Sequence, residues 1–278
     1  LGKSHLNNLN NFDIIFRSPG ISYLNPKIQE AKKAGVEISS QIKLFFDLCP
    51  CPIIGVTGTK GKGTTSSLIS EILKKNLQFT IYNLQSTSDY QINEKWKLKN
   101  DELPQVHLAG NIGYPAITLI PKLKKYDFVI FELSSFQLMD LEKSPHIAVV
   151  TNLTVDHLNY HKDIAEYQNS KLNILKYQTE NDLAILNKQS TFADENLKKL
   201  KSQIKYFSTD ENGVAIVKKI DDGYKVILKE EKEIEICGLK NIQLFGLHNL
   251  QNIAAATLVA RALNVEPKII SEVVKDFK

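Results

Sequence analysis

Apolar residues along this chain fall into short continuous runs more than into strict alternation. PIIGV (52–56), YDFVIFEL (126–133), IAVVT (147–151) and DLAILN (182–187) are the clearest. Strands buried on both faces read this way, so these runs predict a parallel sheet wrapped by helices. Between them the spacing turns helical. Leu68, Ile69, Ile72 and Leu73 share one face. A helix over Asp163–Lys176 would place Ile164, Tyr167, Ile174 and Leu175 on one apolar face, with Lys171 in its middle. Near the start, DIIF (13–16) predicts a short buried strand and SPG (18–20) a turn. A helix near 26–34 and a strand at VEI follow, like the closing α/β units of a small domain. Pro50 and Pro52 flank a candidate boundary. From 205 to 246 the texture changes: GVAIVKKI and GYKVILK meet at DDG, a hairpin signal, and predict a small antiparallel sheet. A helix over 249–263 closes the pattern. Residues 80–105 are polar and irregular and are expected to form a surface insertion with room for a short hairpin.

The 278 residues suit one large domain plus a piece, or two domains. The 42% hydrophobic and 24% charged content is that of a globular protein with a real core. The net charge of +4 is too small and too scattered to argue for nucleic acid, though it suits a phosphate-bearing ligand. Cys49, Cys51 and Cys237 form no CxxC pair, which argues against a disulfide framework or a zinc site and for a reducing compartment. No run of 18 apolar residues suggests a membrane span, and the first residues lack a signal core. A cytoplasmic monomer is the simplest expectation. The chain begins at Leu1 rather than at methionine and opens mid-pattern, so it is expected to be part of a longer protein.

The densest chemistry lies in TGTKGKGTT (57–65), between a strand and an amphipathic helix. Glycines let backbone N–H groups approach phosphate oxygens, the helix N-terminus adds its positive dipole end, and a lysine reaches the outer phosphates. Gly58, Thr59, Lys60, Gly61, Lys62 and Gly63 are the candidate cradle, with Lys62 as that lysine. The usual GxxxxGK[ST] loop would place Gly at position 56 and Ser or Thr at 63, where this chain has Val56 and Gly63. Thr64 or Thr65 must then supply a hydroxyl for magnesium.

Other positions carry two readings each. Glu132 ends a buried strand at the sheet's carboxyl edge, where ligands gather, and could reach a magnesium ion; it could equally be a surface glutamate. Ser134 and Gln137 offer hydrogen bonds to a substrate or to their own turn. Lys171, aimed inward, is costly unless paired or chemically changed, or else it snorkels at the helix edge. Asn249 and Asn252 share a helix face and could pair with adenine; Asn249 could also be an N-cap. His157 could be a structural hydrogen-bonder.

Together these segments resemble the Mur ligases, whose loop reads TGTNGKT(S/T) and is shared with folylpolyglutamate synthetases. SPGIS (18–22), AGNIGYP (109–115) and ELSSFQL (132–138) resemble the branch that joins D-glutamate to UDP-N-acetylmuramoyl-L-alanine. TNLTVDHLNYH (151–161), YQNSKLNIL (167–175) and FGLHNLQNIAAA (245–256) are similar to segments shared more broadly across the family. The resemblance implies a central P-loop α/β domain at 51–278, preceded at 1–50 by part of a Rossmann-like domain for the uridine-nucleotide substrate. It implies a separate C-terminal module for the amino acid, and so a chain unable to complete the reaction alone. It implies ATP and Mg2+ as ligands, with Thr64, Glu132, His157 and Lys171 toward the metals. Gly20, Asn111, Ser134, Gln137 and His157 would face the sugar-nucleotide substrate, Asn249 and Asn252 the adenine. Lys62, His157 and Lys171 would be catalytic, with Lys171 carbamylated and Asp156 orienting His157. Two alternatives stand beside this: another Mur-type amidoligase, and a non-catalytic nucleotide-binding paralogue. Gly63 alone favours the last, and Lys62, Glu132, His157 and Lys171 together argue against it.

Overall fold

The computed structural model describes residues 5–86, 103–110, 115–153, 161, 163–190 and 197–278. Two sheets are present among them. β1 (Ile14–Arg17) and β2 (Glu37–Ser40) pair in parallel, Ile14 opposite Glu37. The helix α1 (Pro26–Lys33) joins them, capped by the Asn25 side chain, which accepts from the Lys27 N–H, with Pro26 at its first position. Ile28, Ala31, Val36 and Ile38 form a small core of their own.

The nine-stranded sheet has the order β11-β10-β9-β8-β7-β6-β3-β5-β4. Its parallel half comprises β3 (Ile53–Thr57), β4 (Val106–Gly110), β5 (Phe128–Glu132), β6 (Ile147–Val150), β7 (Leu183–Asn187) and β8 (Gln203–Ser208). All five residues of β3 are buried, as its unbroken apolar run requires. α2 (Gln41–Leu48) covers one face by packing Phe45 and Phe46 against Phe131, with ring centroids 5.1 and 6.0 Å apart. The other face is covered by α3 (Lys62–Ser86), α6 (Leu247–Ala262) and α7 (Pro267–Asp276).

Several expectations shift. β9 (Ala215–Ile220), β10 (Gly223–Lys229) and β11 (Glu233–Gly238) are antiparallel and turn at Asp221–Asp222, as the DDG signal predicts. They are not a separate sheet: Phe207 pairs with Ala215 and Ser208 with Ile216, so the hairpins extend the main sheet. The surface insertion expected over 80–105 starts later, because α3 runs on to Ser86; residues 87–102 lie outside the described residues. Ile164 is 42% exposed and does not join the apolar face of α5 (Ile164–Lys176). It is the first helical residue after the Asp163 cap and projects beyond the core that holds Tyr167, Ile174 and Leu175.

Candidate functional site

The phosphate loop leaves β3 at the carboxyl edge of the sheet and enters α3 at Lys62. Two glycines shape it. Gly58 has φ +149° and sits so close to the Thr151 hydroxyl that a side chain would collide with it. Gly61 has φ +85° and is packed equally tightly against the Asn252 amide. Both positions favour glycine by conformation as well as by space. The end of β6 anchors the loop from beside it. The Thr59 N–H donates to the Asn152 carbonyl at 2.6 Å, and the Thr151 hydroxyl donates to the Lys60 carbonyl at 2.7 Å. Lys60 is exposed and Lys62 half-buried, the latter donating to the Thr59 carbonyl at 3.2 Å.

Lys171 lies where the inward reading places it. It is 2% exposed, its Nζ donates to the Gly58 carbonyl at 2.9 Å, and it sits 4.8 Å from the centroid of the Tyr167 ring. The snorkelling alternative fails, since the amine ends on the phosphate loop rather than in solvent. Glu132 is 7% exposed at the last position of β5, which rules out the surface-glutamate reading. Burial pushes its carboxyl above the ordinary range, while the positive charges of Lys62 and Lys171 pull it back. Glu132 is thus a buried carboxylate facing two lysines beside a glycine-lined loop; among the described residues no cluster of three or more His, Cys, Asp or Glu completes a metal site around it. Of the two candidate hydroxyls, Thr64 is half-buried in the first turn of α3. Thr65 is fully buried, and its Oγ1 has no hydrogen-bond partner among the described residues.

Ser134 and Gln137 are engaged in cap chemistry. Ser134 caps the single turn α4 (Ser135–Leu138), accepting from the Gln137 N–H, while the Gln137 side chain accepts from the Ser134 N–H at 2.8 Å. Gln137 also lines a cavity of about 90 Å³ with Arg17, Pro19, Ser40 and Gln41. Gly20 follows Pro19 in the chain but is exposed and does not line the cavity, whereas Gly110, whose next residue is Asn111, forms part of its wall. Asn111, Asp156 and His157 lie outside the described residues.

Asn249 and Asn252 are buried behind the loop. Asn252 donates to Asn249 Oδ1 at 2.9 Å, and Asn249 donates to the Phe245 carbonyl at 2.7 Å. The N-cap of α6 is Gly246, not Asn249, which lies within the first turn. Sequence reasoning missed two further links. Arg17, 123 positions from Asp140, donates to its carboxylate at 2.6 Å, with both side chains 1% exposed. His161 joins Ser135 to Glu166. The Arg17–Asp140 and Ser135–His161 contacts join positions too distant to leave a local signature.

A strand, a glycine-shaped loop ending in lysine, a helix, and a buried carboxylate on the neighbouring strand give the chain the layout of a P-loop α/β protein. Residues 56–260 match the model of the Mur ligase middle domain. The chain belongs to the Mur ligase family. It is 36% identical over 270 residues to the UDP-N-acetylmuramoylalanine--D-glutamate ligase of Clostridium novyi (strain NT), covering 96% of this chain and 52% of that protein. To the protein of the same name from Acetivibrio thermocellus it is 39% identical over 260 residues, covering 92% and 49%. The chain thus spans about half the length of the curated relatives it matches. Among solved structures, the UDP-N-acetylmuramate:L-alanyl-gamma-D-glutamyl-meso-diaminopimelate ligase of Neisseria meningitides superposes with a TM-score of 0.60 at 20% identity, covering 96% of this chain and 79% of that one. MurF from Acinetobacter baumannii superposes with a TM-score of 0.58 at 16% identity, covering 95% and 59%. These two show the shared fold.

Proposed function

We propose that this chain supplies the ATP-binding centre, and at 1–50 part of the substrate-binding portion, of a cytoplasmic ligase. That ligase joins D-glutamate to the alanine carboxylate of UDP-N-acetylmuramoyl-L-alanine with conversion of ATP to ADP. The observation that carries this is the convergence of Lys62, Glu132 and Lys171 on one glycine-shaped loop. The names of the two curated relatives supply the substrates.

The residues divide the work. Loop amides from Gly58 to Gly63 and the Lys62 ammonium hold the nucleotide phosphates. Thr64, Glu132 and His157 would hold Mg2+, which offsets phosphate charge as a Lewis acid when bound. Lys62 neutralises charge on the transferring phosphoryl group while the substrate carboxylate attacks it, forming an acyl phosphate and releasing ADP. The amine of D-glutamate then attacks the acyl carbon and expels phosphate. In this reading the sugar nucleotide approaches from the side of Gln137, which lines a 90 Å³ cavity with Arg17.

Lys171 has a further role in this reading. Burial favours a neutral amine, which can attack carbon dioxide and lose a proton to give an anionic carbamate. The carbamate nitrogen keeps one hydrogen for the Gly58 carbonyl, while its oxygens add negative charge beside the metal-facing groups. Lys171→Ala is expected to lose ligation by about 100-fold or more and to regain part of it with added short carboxylic acids. A loss that no carboxylic acid relieves would leave the lysine a purely structural donor.

The direct test uses protein expressed from its complete reading frame. ADP release should require both UDP-N-acetylmuramoyl-L-alanine and D-glutamate, with an amide product visible by mass spectrometry. ADP release that ignores both substrates would overturn the reading.

A further inference from the structure

His161 ties together three segments that the ligase reading uses. It is 3% exposed, and its two ring nitrogens point in different directions. Nδ1 lies 3.1 Å from Glu166 Oε1, near the start of α5. Nε2 lies 2.9 Å from Ser135 Oγ, in the first turn of α4. The ring stacks on Phe136 at 5.6 Å with a 14° tilt and meets Tyr167 edge-on at 5.2 Å. Tyr167 in turn places its hydroxyl 3.0 Å from Thr59 Oγ1 in the phosphate loop.

A serine, a histidine and a carboxylate in this order resemble a nucleophile with its base and orienting group. Burial argues against that use. Ser135 is 1% exposed, so a substrate carbonyl has no approach to its hydroxyl. What the arrangement offers is rigidity. Ser135 follows Glu132 by three residues and Ser134 by one, so holding its hydroxyl fixes the loop that carries both. A carboxylate at Nδ1 accepts, which orients the ring and leaves Nε2 for Ser135. Buried networks of this kind are stiff when every member is paired.

We propose that His161 is a positioning residue of the ligase site. Through Ser135 it sets the loop bearing Glu132, and through Tyr167 it sets Thr59 of the phosphate loop. The proposal rests on the ligase reading for its consequence in catalysis, but its structural half is testable alone. A misplacement of about 1 Å in such a site can reduce turnover by about 100-fold.

The test separates the two ring nitrogens. In His161→Gln the amide reaches roughly to the Nε2 position and can hold Ser135. In His161→Asn it reaches only to the Nδ1 position and holds Glu166 instead. Asn also fills less space than Gln, so Ser135→Ala, which leaves the ring's packing on Phe136 and Tyr167 in place, separates the hydrogen bond from the filling of space. Hydrogen exchange over residues 134–138 and steady-state ligation are measured on protein expressed from the complete reading frame, with Ser135→Ala as a third variant. The expected result is that His161→Gln stays within about threefold of the parent in both, whereas His161→Asn and Ser135→Ala exchange about tenfold faster there and lose about tenfold in kcat with little change in the KM for ATP. Equal behaviour of the Asn and Gln variants, or parent-like exchange in Ser135→Ala, would overturn the proposal. So would labelling of Ser135 by a fluorophosphonate, which would make it a nucleophile. If the parent forms no amide product while the exchange pattern holds, the ligase reading fails and the positioning role stands.

Discussion

Burial holds Glu132 partly against its own charge, and the two lysines, with Lys171 an unmodified ammonium, only partly offset this. A carboxyl whose folded pKa is raised keeps its proton longer in the native state than in the unfolded chain. Its contribution is therefore most favourable below the unfolded value of 4.5 and is lost as pH rises through the folded value. Glu132→Gln removes the penalty. Ligand-free protein carrying it should melt a few degrees above the parent at neutral pH, and the gap should close below about pH 4. The same variant should lose ligation. Scanning calorimetry across that range checks it, and a variant less stable than the parent at pH 7 would show that the carboxylate is stabilising. Lys62→Ala should lower ligation by about 100-fold or more, read by ADP release. A near-parental rate would remove the loop from the chemistry. Lys62, Glu132 and Lys171 were legible because each sits in a local pattern, the glycine loop, the strand end or the apolar helix face. His161 and Arg17 were not, since Ser135 is 26 positions from the first and Asp140 is 123 from the second.

At the scale of elements, the Arg17–Asp140 pair fastens the β1–β2 unit to the segment after α4. Arg17 also donates to the Ile21 carbonyl at 2.7 Å and to the Phe136 carbonyl at 3.3 Å. Removing one member of a buried pair leaves the other charged and dry, a loss of about 3–5 kcal/mol. Arg17→Met should therefore speed hydrogen exchange and proteolysis over residues 5–40 while β3, β5 and β6 keep their protection. Unchanged exchange there would mean that apolar packing alone holds the unit. The apolar strands were legible from their runs, and the hairpin from DDG. α2 was missed because its eight residues lie between a strand signal and two prolines and carry too few turns to show a period. α3 was cut short because TIYNLQS (80–86) passes without a stop signal into a long polar run. β4 was missed because only one of its five residues is fully buried, which is the texture of an edge strand.

For the whole molecule, the class of sheet was legible, but the joining of β9–β11 to its edge was not. That join depends on QIKYFS (203–208) becoming a parallel strand beside β7, and nothing in those six residues announces a partner. The placement of β3 also has a consequence in time. β3 lies between β5 and β6, yet Ile53 pairs with Val129, and Thr57 with Val150. A ribosome adding about 5–20 residues per second needs several seconds after making β3 to deliver either neighbour. Meanwhile a largely apolar strand, unable to pair, waits outside the exit tunnel. α3 can coil at once, but its Leu68–Leu73 face has no sheet to cover. The nascent chain should thus be a client of holding chaperones from β3 until β6 emerges, and synonymous codons that slow synthesis between residues 58 and 147 should lower the yield of folded protein more than the same codons placed after residue 210.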